Sequence, residues 1–190
     1  QNVVSNIQGL PSNTWTYHIE ASVHGTGTAY AVFDGHNSGD MKPYVYKTSD
    51  FGTTWTNIIT DNVIGTSRNI QEDYENENLL FLGTEFGLYI TADGGKNWEK
   101  FNKNVPPVAV HFIDLQKQTN DLVLGTHGRG IIIIDDISPL REITTEALKA
   151  KLHFFSSKPM KLSDESGFSG SFGAETQFVG ENANRSPQIK

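Results

Sequence analysis

An all-β chain made of β-propeller blades, each a sheet of four antiparallel strands, is predicted by three observations. A Thr-x-Asp-x-Gly-x-x-Trp phrase occurs twice, at Thr48 to Trp55 and Thr91 to Trp98, and Asp50, Asp93 and Asp136 follow one another at a constant step of 43 residues. The runs that precede each phrase are short, rich in β-branched and aromatic residues, and bounded by Gly, Asn and Asp, as strands closed by turns are. A repeat of ~40 to 45 residues with four strands per unit is the period of a propeller, in which each blade buries its faces only against its neighbours.

Residues 1–14 are expected to be the end of a preceding blade or a linker. Blade one then spans about residues 15–59, with strands at Tyr17 to Ser22, Thr28 to Phe33 and Tyr44 to Lys47 and a fourth after Trp55. Blade two, about residues 65–101, repeats the plan with Arg68 to Asp73, Leu79 to Thr84 and Leu88 to Thr91, and a fourth strand after Trp98. Blade three, about residues 107–143, has Val108 to Leu115, Asp121 to Thr126 and Ile131 to Ile134. Its phrase is degenerate. There Ser138 reads as an N-cap followed by Pro139 in the first turn, and Glu142 to Lys151 is made of helix formers, so a short helix replaces or follows the last strand. Leu152 to Phe155 has the composition of one further strand, which closes the bladed region at residues 15–155. Residues 156–190, rich in Ser, Gly, Asn and Glu from Ser163 onward, read as a linker or tail toward a following domain.

Composition narrows the function classes. The 190 residues carry 15 Lys+Arg against 22 Asp+Glu, a formal net charge of −7, and the arginines are only Arg68, Arg129, Arg141 and Arg185. A nucleic-acid binder needs a basic stripe that this acidic chain lacks. The longest apolar runs, such as Ala29 to Phe33 and Ile131 to Ile134, fall far short of the ~18 residues of a membrane span. The absence of cysteine excludes disulfide scaffolds, Cys-ligated zinc and thiol catalysis. No cofactor is expected. The start at Gln1 is read as the interior of a longer precursor. A cysteine-free chain rich in Thr, Asn and Gly is compatible with export to the periplasm, the cell surface or the medium of a bacterium.

The repeated phrase has the chemistry of a turn. Asp50 and Asp93 can accept hydrogen bonds from amides of their own hairpins, with Thr48 and Thr91 beside them; Gly52 and Gly95 permit a positive φ, and Trp55 and Trp98 pack into the layer between blades. The phrase is structural.

These residues resemble the Asp-box, or bacterial neuraminidase, repeats of sialidases, xyloglucan-cleaving hydrolases and sortilin-type receptors. Together with Thr28 to Tyr30 running to Asp34-Gly35-His36, Pro43 to Thr48, Asn78 to Leu88 and Gly125 to Gly130, they are similar to a group of large exported bacterial proteins described as sortilin-like or glycosyl-hydrolase-like. The resemblance covers about residues 10–155, and Gly180-Glu181-Asn182 resembles the junction to a following sandwich domain. It implies the C-terminal part of a longer propeller. It also implies that the boxes lie at the turns between third and fourth strands, while ligands meet the opposite face, built by the connections between second and third strands.

That face carries the candidate site. Blade one contributes Asp34, His36 and Asp40 in a long loop, blade two contributes Glu85 and Arg68, and blade three contributes His127 and Arg129. Asp34 and Glu85 are the candidate catalytic carboxylates, since glycoside hydrolysis needs such a pair. His36, Arg68, Glu85, His127 and Arg129 are the candidate ligand-binding residues. Asp34, His36 and Asp40 could offer ligands to a hard cation, although the expectation is no metal. The same loops also read simply as tight hairpins. His18, His24, His111 and His153 read as isolated strand or surface residues, and Glu72 to Glu77 as a solvated acidic turn. The sialidase pattern of three arginines, a Tyr/Glu pair and Arg-Ile-Pro is absent, and xyloglucan-type hydrolases draw their two aspartates from distant blades.

The expectation is therefore a non-catalytic binding or scaffolding piece of a larger exported propeller that recognises a protein or polysaccharide. The alternative is a piece of a glycoside hydrolase contributing to a polysaccharide cleft. Three blades cannot close a ring, so their exposed faces call for the rest of the propeller or a second copy of the chain.

Overall fold

The computed structural model describes residues 2–12 and 14–156, and the tail expected at residues 156–190 lies, apart from Ser156, outside them. Three antiparallel sheets follow one another along the chain. The first holds β1 (Trp15–Ala21), β2 (Ala29–Gly35), β3 (Asp40–Thr48) and β4 (Thr56–Asn57) in sequence order. The second holds β5 (Ser67–Glu72), β6 (Leu80–Thr84), β7 (Gly87–Thr91) and β8 (Glu99–Phe101), again in sequence order. The third has only β9 (Val110–Gln116), β10 (Asp121–Thr126) and β11 (Ile131–Ile134). This is an incomplete β-propeller. No helix among the described residues is long and apolar enough to cross a membrane.

Period-2 alternation assigns each side chain to a layer. Tyr30, Val32 and Val45 of blade one meet Ile70, Leu80, Leu82, Tyr89 and Trp98 of blade two in one core. The alternate residues of blade two, Leu79, Phe81 and Leu88, meet Val110, Ile113, Leu115, Leu122 and Leu124 of blade three in the next. Blade two is therefore buried on both faces. Gly83 shows how tightly: a Cβ there would lie 2.4 Å from the Val110 carbonyl oxygen. Gly83→Ala is expected to push blades two and three apart and to lose at least the ~1–3 kcal/mol of an overpacked core, read as a lower urea midpoint.

The two outer faces differ. On blade one, Ala31, Phe33, Tyr44 and Tyr46 are covered by Ile7 and Leu10, and the 3-10 turn Val4–Asn6 is pinned where Asn6 Nδ2 donates to the Gly52 carbonyl at 2.9 Å. The N-terminal segment is thus a cap on this face, which the sequence left exposed. On blade three, Phe112, Ile131 and Ile133 remain exposed.

The Asp and Gly parts of both complete phrases fold as expected, but of the two tryptophans expected between blades only Trp98 lies there, while Trp55 packs on the outer face of blade one beside the N-terminal segment. Asp50 Oδ1 accepts from the Thr54 amide at 2.8 Å and from Thr48 Oγ1 at 2.8 Å, and Asp93 Oδ1 accepts from the Asn97 amide at 2.9 Å and from Thr91 Oγ1 at 2.7 Å. Gly52 and Gly95 take φ of +82° and +94°. For Asp50 the hydrogen bonds from Thr54 hold the carboxyl below the usual carboxylate range. For Asp93 burial pushes the other way, and the bonds from Asn97 and Thr91 prevail.

Several expectations are corrected in blade three. The helix expected to replace or follow the last strand is present and stands in place of a fourth strand, in two pieces: α1 (Ser138–Arg141) and α2 (Thr145–Lys149). Ile137 rather than Ser138 precedes α1, and Thr144 caps α2 by accepting from the Ala147 amide. Leu152 to Phe155 is exposed and not a strand. The reason lies in the phrase: Arg141 stands five residues after Asp136, where Trp55 and Trp98 stand in the other copies. Trp98 reaches the neighbouring blade through Nε1, donating to the Ile58 carbonyl at 2.7 Å. Arg141 reaches blade two instead by an ion pair with Asp73, Nη2 to Oδ2 2.8 Å.

The acidic turn is corrected with it. Glu72 and Asp73 are buried rather than solvated. Glu72 accepts from Tyr30 OH at 2.8 Å, from Ser22 Oγ at 3.0 Å and from the Val23 amide at 3.0 Å, tying blade two to blade one.

Candidate functional site

Each inner strand contains one irregularity in the same place. The pairing register shifts between Thr16 and His18 in β1, between Ser67 and Asn69 in β5, and opposite Gly125 and Thr126 in β9, where Val110 and Phe112 are the paired residues. The skipped residues are Tyr17, Arg68 and His111. A bulge re-aims the side chain it carries, and these three meet. The Arg68 guanidinium lies 5.1 Å from the centre of the Tyr17 ring, the distance of a cation–π contact. Tyr17 OH is 3.4 Å from His111 Nδ1, and the two rings stand edge to face. His127 stacks on His111 with centroids 5.5 Å apart and an interplanar angle of 23°.

Arg68 is also where the two carboxylates converge. Its Nη1 donates to Asp34 Oδ2 at 2.5 Å and its Nη2 to Glu85 Oε2 at 2.8 Å. Asp34 further accepts from the His36 amide at 2.9 Å and lies 2.5 Å from His36 Nδ1. Asp34 is buried and Glu85 half-exposed. Burial alone would weaken the charge on Arg68, but the hydrogen bond to Glu85 and the charges of Asp34 and Glu85 outweigh it and hold the guanidinium protonated. An arginine shared by two carboxylates is both a strong link between blades and a neutralising partner for each acid.

Beneath this cluster β5 opens on four polar residues in succession. Thr66, Ser67, Arg68 and Asn69 are buried, and Thr66 Oγ1, Ser67 Oγ, Arg68 Nε and Asn69 Oδ1 have no hydrogen-bond partner among the described residues.

Of the residues read from the sequence, Asp34, His36, Arg68, Glu85 and His127 come together. Arg129 is exposed at the β10–β11 turn. Asp34 and Asp40 do not share a long loop: they belong to β2 and β3, joined by the 3-10 turn His36–Ser38. Asp40 accepts from Tyr44 OH at 2.6 Å and from the Lys42 amide at 3.1 Å, and the Tyr44 bond holds it below the usual carboxylate range. Among the described residues no group of three or more His, Asp or Glu is arranged to hold a metal ion. Tyr17 and His111, read only as strand or surface residues, were not assigned to the site. The available signal was alignment of the inner strands, which places Tyr17, Arg68 and His111 at one position of the blade.

Of the histidines read as isolated, His18 is a strand residue of β1 as expected, while His24 and His111 are corrected. His24 Nε2 lies 2.8 Å from the Asp73 carbonyl oxygen, His18 lies 3.6 Å from Glu20, and His111 is part of the cluster. Burial, and then the charge of Arg68, lowers the His111 pKa from 6.5. Because the unfolded chain binds this proton more readily, stability is expected to rise with pH up to about 6.5. His111→Gln should flatten the rise in melting temperature between about pH 5 and 7; an unchanged profile would place the effect elsewhere.

No family model and no curated protein sequence matches the chain. Among solved structures it is similar to the GH74 enzyme of Niastella koreensis, at TM-score 0.53 and 17% identity over 64% of this chain and 21% of that one. It is also similar to the GH74 xyloglucanase from Xanthomonas campestris, at TM-score 0.51 and 13% identity over 64% of this chain and 22% of that one. The likeness is one of fold, and the chain spans about one fifth of the length of these enzymes.

Proposed function

We infer that the chain is a non-catalytic binding segment of a larger exported propeller, with the Tyr17, Arg68 and His111 mouth as its recognition surface and polysaccharide as the favoured ligand, ahead of protein. The observation that carries this reading is the pairing of both candidate acids with one arginine. Asp34 and Glu85 are already bonded to Arg68, so neither stands free to pass a proton, whereas Tyr17, His111 and His127 present rings on which a sugar can stack. The turns built by Thr48 to Trp55 and Thr91 to Trp98 support an Asp-box, sortilin-like parent, and the rest of that propeller is the expected partner of blade three.

A soluble xyloglucan oligosaccharide is the first probe, because a structural neighbour acts on that polymer. Titration calorimetry should show binding that weakens about tenfold in Tyr17→Ala, the loss of one good ring contact. Equal affinity in Tyr17→Ala and His127→Ala would remove the mouth as the binding surface. The second reading, a part of a glycoside hydrolase, is favoured by the convergence of two carboxylates on one point. Release of reducing ends that disappears in Asp34→Asn would replace the binding reading with it.

A further inference from the structure

Blade three lacks the strand that β4 and β8 supply in the other blades, and this leaves two linked features. The outer edge of β11 pairs with nothing among the described residues, an open template for another strand. Blade two and the helical segment that follows β11 also enclose a groove of about 760 Å³ whose apolar lining includes Ile90 and Phe101 of blade two and Leu140, Ile143 and Leu148 of the helical segment. Ile132 and Ile134 pack in the same core as Ile90, Phe101 and Leu140, so the groove continues the interface between blades two and three. In blade two the corresponding interface is filled by β8 and by Trp98, which is 1% exposed.

The chain carries a strand pattern that forms no strand of its own. Lys149-Ala150-Lys151-Leu152-His153-Phe154 alternates basic and apolar residues with period two, the pattern of a half-buried strand, yet Leu152 and Phe154 are 71% and 76% exposed. Within its own chain the segment is tied to the helical region, where His153 Nε2 lies 3.4 Å from Glu142 Oε2. The groove border carries Asp93, Glu99 and Glu146 against Lys100 and Arg141, and Arg141 is already paired with Asp73 and Glu75. A basic strand therefore suits it in charge as well as in shape.

We propose that residues 150–155 of a second copy of the chain add to the β11 edge, completing the third sheet with Leu152 and Phe154 in the groove, and that the exchange is reciprocal. Backbone bonds to Ile131–Ile134 supply the pairing and alternate apolar side chains supply the fit. The closed, two-fold exchange gives a dimer rather than a fibre.

The cysteine-free sequence makes the test clean. Chains carrying Ile133→Cys are mixed with chains carrying His153→Cys, both on the face turned away from the groove, and treated with a short bismaleimide, and the mass is followed by light scattering. The expected result is cross-linking between the two kinds of chain and a dimer that weakens at least about tenfold in the Leu152→Glu, Phe154→Glu double variant, as loss of two buried apolar side chains requires. Both positions are exposed within one chain, so the double variant should keep its circular dichroism. A monomer at about 100 µM, weaker than any useful association, would overturn the proposal. So would cross-linking confined to single chains carrying both cysteines, which would show the strand adding to its own sheet. A dimer that survives the double variant but is lost in Phe112→Glu would assign the contact to the open face of blade three and overturn it as well.

Discussion

Arg141→Ala is expected to lose about 3–5 kcal/mol of stability, the cost of stranding a buried charge. Asp73 is fully buried, and Arg141 donates to it through Nε at 2.9 Å and Nη2 at 2.8 Å. Removing the guanidinium leaves only the Glu75 and Asn76 amides, at 2.9 and 2.8 Å, to stabilise that carboxylate. The same side chain also holds Glu75 at 3.0 Å and Asn120 at 3.1 Å and covers the Tyr74 ring, so blade three loses its tie to blade two at several points. Chemical denaturation followed by tryptophan fluorescence would measure the loss. In Asp73→Asn the Arg141 guanidinium keeps its ion pair with Glu75 at 3.0 Å and no buried carboxylate is stranded, so the cost should be smaller. Equal costs for the two variants would show that shape rather than charge is what matters at this position.

Trp98→Ala is expected to cost about 3–5 kcal/mol, the range for a large aromatic removed from a core. Trp98 fills the layer between blades one and two and bonds the Ile58 carbonyl across it. Trp55, half-buried on the outer face of blade one, donates only to the Gly52 carbonyl of its own turn, at 3.2 Å. Trp55→Ala should therefore cost clearly less than Trp98→Ala, although the two residues occupy the same place in the repeat. If denaturation midpoints fell by equal amounts, the phrase itself and not the contact between blades would be the source of stability.

That contrast marks how far the sequence could be read. Strand positions were legible because alternation and turn residues act locally: Leu79 to Thr84 and Ile131 to Ile134 needed no partner to be recognised. The phrases were legible because an aspartate, a glycine and a tryptophan at fixed spacing build one turn wherever they occur. The missing fourth strand of blade three was only half legible. Arg141 could be counted into the tryptophan position, but the buried Asp73 it serves lies 68 residues away. The burial of Glu72 was hidden for the same reason, since its partners Ser22, Val23 and Tyr30 belong to another blade.

The candidate site divides along the same line. Asp34, His36, Glu85 and His127 were placed near one mouth by counting connections, which needs only topology. Tyr17 and His111 were passed over because a bulge is a property of strand pairing and leaves no mark within a single strand. By itself the sequence determined an array of propeller blades, their order, and the turns that close them, since each of these follows from local periodicity and turn chemistry. The tertiary structure alone decided that Tyr17, Arg68 and His111 converge, that one arginine is shared by two carboxylates, and that the third sheet keeps an open edge, because each depends on side chains that meet only when separate blades pack.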